Sequence, residues 1–126
     1  MTAGKLQTDT ARLQLEKVLA SSGFARNERL SRFLRFVVER HLEGKDSELK
    51  ESLIAIEVFG RRPDYDPKQD SIVRTEAARL RARLAEYYAG EGSGDAMIIE
   101  LPKGGYAPVF RRRRPIRFRS LRADGF

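Results

Sequence analysis

Four arginines, Arg74, Arg79, Arg81 and Arg83, fall within ten residues, and most positions around them hold small side chains. At about 100° per helical residue, with Val73 at the centre of an apolar stripe, Ser71, Thr75, Ala78 and Ala82 lie within about 40° of the opposite face. Arg74 and Arg81 occupy one shoulder of that face, and Arg79 and Arg83 the other. Small residues in front let a helix approach closely, while arginines beside them reach base edges or phosphates. The pattern therefore suits a helix in the major groove of double-stranded DNA. It equally suits a solvated amphipathic helix, with Glu76 and Glu86 balancing part of the charge.

Other cations fall where they would support such a helix. Lys103 precedes Gly104 and Gly105, a combination that makes either a phosphate-touching loop tip or a plain hairpin turn. Arg61 and Arg62 stand before Pro63, placed to touch a nucleic-acid backbone or to complement the C-terminal end of the preceding helix. Residues 111–126 carry seven arginines and one aspartate, leaving 18 basic and 17 acidic residues for the rest, so the net charge of +7 sits almost wholly at the end. Arg111, Arg112, Arg113 and Arg114 read as a flexible arm for phosphates, with a steep salt dependence. They read also as a solvated terminus, or as the cytoplasmic flank of a membrane span beyond residue 126.

No residue set supports catalysis. His41, the single histidine, has no cysteine or second histidine to work with, and the chain has no cysteine, which removes disulfides and thiolate metal cages. Asp64, Asp66 and Asp70 lack the ligand order and glycine of a calcium loop and read as turn and cap residues. Gly90, Gly92 and Gly94 follow a helix rather than a strand and lack the Lys-Ser/Thr ending of a phosphate loop, so they read as a mobile connector. Tyr87 and Tyr88 could stack on bases, but their place at the end of an apolar stripe favours packing. The expectation is a non-enzyme with no metal and no cofactor.

The elements that must position these residues follow from apolar spacing. Helices are predicted over Thr8–Ser22, carrying Leu13, Leu15, Val18 and Leu19, and from Asn27 or Glu28 to Leu42, the strongest pattern in the chain. A third, capped by Asp46 or Ser47, carries Leu49, Leu53, Ile56 and Phe59 and should be buried. Gly60 ends it, and residues 60–69 form an ordered loop. Asp70 or Ser71 caps the arginine-bearing fourth helix, which runs to about Ala89 with Val73, Ala77, Leu80, Leu84 and Tyr87 or Tyr88 inward. AMIIEL, PKGG and YAPVF then read as a hairpin, with Tyr106 and Phe110 on one face and Pro108 at an edge or an unpaired position. A length of 126 residues, 40% hydrophobic and 34% charged, fits one mainly α domain with a C-terminal hairpin. No apolar stretch approaches a membrane span or a signal sequence, which fits a cytoplasmic chain.

Taken together, LKESLIAIEVFG, SIVRTEAARLRARL and IIELPKGGYAPVF resemble the C-terminal half of the OmpR/PhoB type of winged helix-turn-helix domain. More closely, residues 28–110 look like a bacterial N-terminal regulatory domain of tetratricopeptide-repeat and adenylate-cyclase-like proteins, through LSRFLRFVVE, YDP, YYAGEG and LPKGGYAPVF as well. The resemblance implies a DNA-binding module with a transcriptional role. It puts Arg74, Thr75, Ala78, Arg79 and Arg81 on a recognition helix, residues 70–89, and Lys103 on a wing, residues 96–110. The response-regulator class opens with a small β-sheet, whereas here that stretch reads as helix. The expected organisation is an N-terminal helical extension (1–26), a winged-helix domain (27–110) and a basic flexible tail (111–126), with a homodimer built on the first helix. The competing expectation is a protein-interaction adaptor whose tail contacts anionic membrane or a partner.

Overall fold

Helical spacing of apolar residues dominates the chain up to Ala89, and the computed structural model, which describes residues 3–113, has five α-helices followed by an antiparallel hairpin. They are α1 (Ala3–Leu19), α2 (Ser22–Ala25), α3 (Glu28–Leu42), α4 (Glu51–Glu57) and α5 (Ile72–Ala89), then β1 (Met97–Glu100) and β2 (Val109–Arg112). The expectation of a mainly α chain with a C-terminal hairpin holds. Among the described residues no helix is long and apolar enough to cross a membrane.

The centre is α3. Leu30, Phe33, Leu34, Val37 and Val38, spaced at i, i+3, i+4, i+7 and i+8, are all buried, and the Phe33 ring meets Phe59 edge-on at 5.2 Å. Both ends of α3 are closed by local chemistry. The Asn27 side chain accepts from the Leu30 N–H at 3.0 Å. At the other end Gly44, at φ 76°, lets the Lys45 N–H reach the Arg40 carbonyl at 2.9 Å and its own N–H reach that of His41 at 3.0 Å. Asn27→Ala is expected to cost about 1 kcal/mol in chemical denaturation. An unchanged midpoint would show the cap to be idle.

Several boundaries differ from those predicted. The first helix spans Ala3–Leu19 rather than Thr8–Ser22, because Ser21 turns the chain and Gly23 sits inside α2 instead of ending α1. Its inward stripe is Ala11, Gln14, Leu15 and Val18, which leaves Leu13 73% exposed. The α1 helix is no appendage: Arg12 pairs with Glu39 at 2.9 Å and Glu16 with Arg35 at 2.7 Å, tying it antiparallel to α3. The predicted third helix divides into a 3-10 turn at Asp46–Glu48 and α4, with extended Lys50 between them, so neither Asp46 nor Ser47 caps α4. Ile54, Ala55 and Val58 supply its buried side, with Leu53 and Ile56 half-buried.

The hairpin pairs Met97 with Arg112, Ile98 with Arg111, Ile99 with Phe110 and Glu100 with Val109. Its second strand therefore starts after Tyr106 and Pro108 and includes Arg111 and Arg112, which the sequence had assigned to the tail. Tyr106 lies in the connecting loop, half-buried, while Phe110 faces α3 with its ring 5.7 Å from that of His41. Arg114 lies outside the described residues.

Candidate nucleic-acid interface

The outward face of α5 is made by small side chains because its inward face takes all the large apolar ones. Val73, Ala77, Leu80, Leu84 and Tyr87 are buried, and Ser71, Thr75, Ala78 and Ala82 are exposed. The helix starts on Asp70, whose side chain accepts from the Ile72 N–H at 3.0 Å; Ser71 stands at the cap position, but its hydroxyl lies 3.3 Å from that of Thr75 instead of capping.

The flanking arginines are brought to α5 as predicted, yet each is already engaged within the fold. Arg74 donates to Glu51 at 2.6 Å and to the Pro67 carbonyl at 2.8 Å. Arg79 donates at 3.2 Å to Glu76, which is buried despite its charge and also has Arg29 3.7 Å away. Arg83 donates to the Gly23 carbonyl at 2.5 Å. Arg81 does most to shape the surface: it donates to the carbonyls of Leu101 (2.8 Å), Pro102 (3.2 Å) and Gly105 (3.2 Å) and so holds the hairpin loop beside α5. A guanidinium suits that task because its donors lie in a fixed fork.

The loop between α4 and α5 is ordered by a second cluster. Arg61 donates to Asp70 at 2.8 Å, and that bond, with the one from Ile72, holds the Asp70 carboxyl below its ordinary range. The Tyr65 hydroxyl lies 2.8 Å from the Asp70 carbonyl and 3.1 Å from Glu51, and its single proton serves one acceptor at a time. Burial first, and the neighbouring Glu51 carboxylate next, push this phenol up to about 12. Asp66 accepts from the Lys68 N–H at 3.0 Å, so turn and cap bonds occupy Asp66 and Asp70, and Asp64 is exposed. Among the described residues, Arg62, Lys68 and Lys103, together with Arg26, Lys50 and Arg112 elsewhere, are exposed cations whose side chains have no hydrogen-bond or ion-pair partner. The first two lie in the loop leading into α5 and the third in the loop that Arg81 holds.

The sequence did not reveal a polar network at the opposite end of α5. Buried Asp95 accepts from Gln14 at 2.8 Å, pairs with Lys17 at 2.9 Å and takes a short hydrogen bond from the Tyr87 hydroxyl. Burial alone would raise this carboxyl, but the bonds from Gln14, Tyr87 and Lys17 together hold it below its ordinary value. Gln14 also donates to the Tyr88 hydroxyl at 3.1 Å, and that hydroxyl accepts from the Ile99 N–H at 2.9 Å. Arg113 donates to the carbonyls of Asp95 (2.9 Å) and Gly92 (3.2 Å). The glycine run is therefore no mobile connector: Gly92 is buried, and a Cβ there would stand 2.1 Å from the Tyr87 ring. Two adjacent tyrosines at a helix end followed by glycines was the one sequence signal available.

No protein-family model matches the chain, and no curated protein or solved structure matches it.

Proposed function

We propose that the chain is a winged helix-turn-helix protein that binds double-stranded DNA sequence-specifically as a transcriptional regulator, in the manner that its resemblance to the OmpR/PhoB class implies. In this reading α4 and α5 are the helix-turn-helix, α5 enters the major groove, and the β1–β2 hairpin is the wing. The observation that carries it is the exposed small-residue front of α5 with the hairpin loop tethered alongside by Arg81. Arg62 and Lys68, in the loop leading into α5, and Lys103, in the loop that Arg81 holds, are unengaged cations and in this reading meet phosphates. Arg74 and Arg79 reach bases only by exchanging a protein acceptor for a nucleic-acid one. Arg61 and Arg81 act by positioning loops.

The competing reading is an interaction module; Leu13, 73% exposed on α1, is a single apolar side chain of the kind ordinary surfaces carry and does not favour it. Selection from a random duplex library at two salt concentrations decides between the readings, using residues 1–126 and residues 1–113. The cut falls after Arg113 because β2 runs to Arg112 and Arg113 bonds to the 92–95 turn. The expected result is one enriched motif for both chains, with removal of the last arginines weakening all sequences alike and flattening the salt slope. Binding by the longer chain alone, without enrichment, would instead mark the body as an interaction module and its charge as non-specific.

A further inference from the structure

The hairpin has one covered edge and one open edge. The Arg113 N–H donates to the Ala96 carbonyl, so with the observed register the hydrogen-bonded pairs are Ala96 with Arg113, Ile98 with Arg111 and Glu100 with Val109. The backbone groups of Ile99 and Phe110 then point away from the partner strand, as do those of Met97 and Arg112. On the β1 side that direction leads to α5, where the Ile99 N–H meets the Tyr88 hydroxyl at 2.9 Å. On the β2 side the N–H and C=O groups of Phe110 and Arg112 have no hydrogen-bond partner among the described residues.

A groove of about 550 Å3 lies beside β2, lined in part by Ala11, His41, Leu42, Met97 and Phe110. Val109, next to Phe110, is 43% exposed. The charge along this edge is one-sided. Arg111 and Arg112 are exposed, Arg111 has Glu100 at 3.1 Å, Arg112 has no acidic partner among the described residues, and more arginines follow in the sequence.

We propose that the open edge of β2 is a docking site for an extended acidic segment of another protein, which adds to the hairpin as a third strand through the backbone groups of Phe110 and Arg112. Backbone pairing supplies the geometry, and the side chains of the added strand alternate between the face of Phe110 and Arg112, which borders the groove beside His41 and Leu42, and the face of Arg111, so a carboxylate on each face meets one arginine. The same arginines oppose the other obvious occupant. A second copy of β2 would bring like charges together across the strand pair, which is how natural edges resist self-association.

The test uses the full chain and a labelled octapeptide of valine and glutamate with adjacent glutamates, so that each strand face carries a carboxylate, read by amide hydrogen exchange and fluorescence anisotropy. Free protein should exchange rapidly at Phe110 and Arg112, and the peptide should slow both. N-methylation of alternate peptide amides should weaken binding at least about tenfold, since it deletes backbone bonds without changing charge. Arg112→Pro removes an outward N–H but no bond within the hairpin, so it should lose the peptide while keeping its unfolding midpoint. Three results overturn the proposal: slow exchange at both amides in the free chain, peptide affinity indifferent to N-methylation, or protection of those amides by duplex DNA and not by the peptide. The N-methyl comparison needs no variant, so an unstable Arg112→Pro leaves the test intact.

Discussion

Asp95→Ala is expected to lower the unfolding free energy by about 3 kcal/mol, because it strands two buried donors, the Gln14 amide and the Tyr87 hydroxyl. Lys17 loses little, being solvated already. The loss falls on the junction of α1, the end of α5 and the first strand, so hydrogen exchange should quicken there before it does in α3. The pH dependence follows from the direction of the shift. With the folded carboxyl held below the ordinary 3.8, its contribution is fully present above that value and is lost as pH falls through the lower folded value. Asp95→Asn should therefore flatten the acid limb of stability below about pH 4. Tyr65 acts at the other end of the scale: with its phenol raised to about 12, stability declines as pH rises from its ordinary 10.0 toward that value. Urea titrations across pH check both limbs. An acid limb identical in wild type and Asp95→Asn would remove Asp95 from the account.

Ala82→Glu carries the largest expected effect on binding. Residue 82 is exposed at the middle of the proposed recognition face, and glutamate is a good helix former, so stability should change by less than about 0.5 kcal/mol. A carboxylate pressed between phosphate rails and base edges should weaken duplex binding by about a hundredfold or more. Fluorescence anisotropy with the selected duplex measures it. Affinity within about twofold of wild type would mean that α5 does not face DNA.

Much of the architecture was legible residue by residue. The α3 stripe from Leu30 to Val38, the inward set on α5 and the turn after Leu101 are repeated local patterns, and each falls where its spacing predicts. The misses share one cause, competition between local preference and distant partners. Asp46 and Ser47 are good caps, but Leu49 is drawn into the core and a 3-10 turn results, so the helix waits until Glu51. Gln14 takes an inward place that an apolar residue would be expected to fill, because Asp95 and Tyr88, about seventy to eighty positions away, receive its amide. Arg111 and Arg112 look like the start of a tail until Ile98 and Met97 pair with them.

By itself the sequence determined the helices α3 and α5, the hairpin, the absence of cysteine and the excess of arginine, since these depend on composition and on spacing within a few residues. Only the tertiary structure decided which cations are spent. Arg74, Arg79 and Arg81 all flank the small-residue front on a helical wheel, yet Glu51, Glu76 and a set of loop carbonyls claim them, while Arg62, Lys68 and Lys103 remain unengaged. The physical reason is that a side chain's availability depends on the acceptors that folding brings within hydrogen-bonding distance: Glu76 is a helical neighbour of Arg79, but Glu51 and the loop carbonyls lie about twenty residues or more from the arginines they hold.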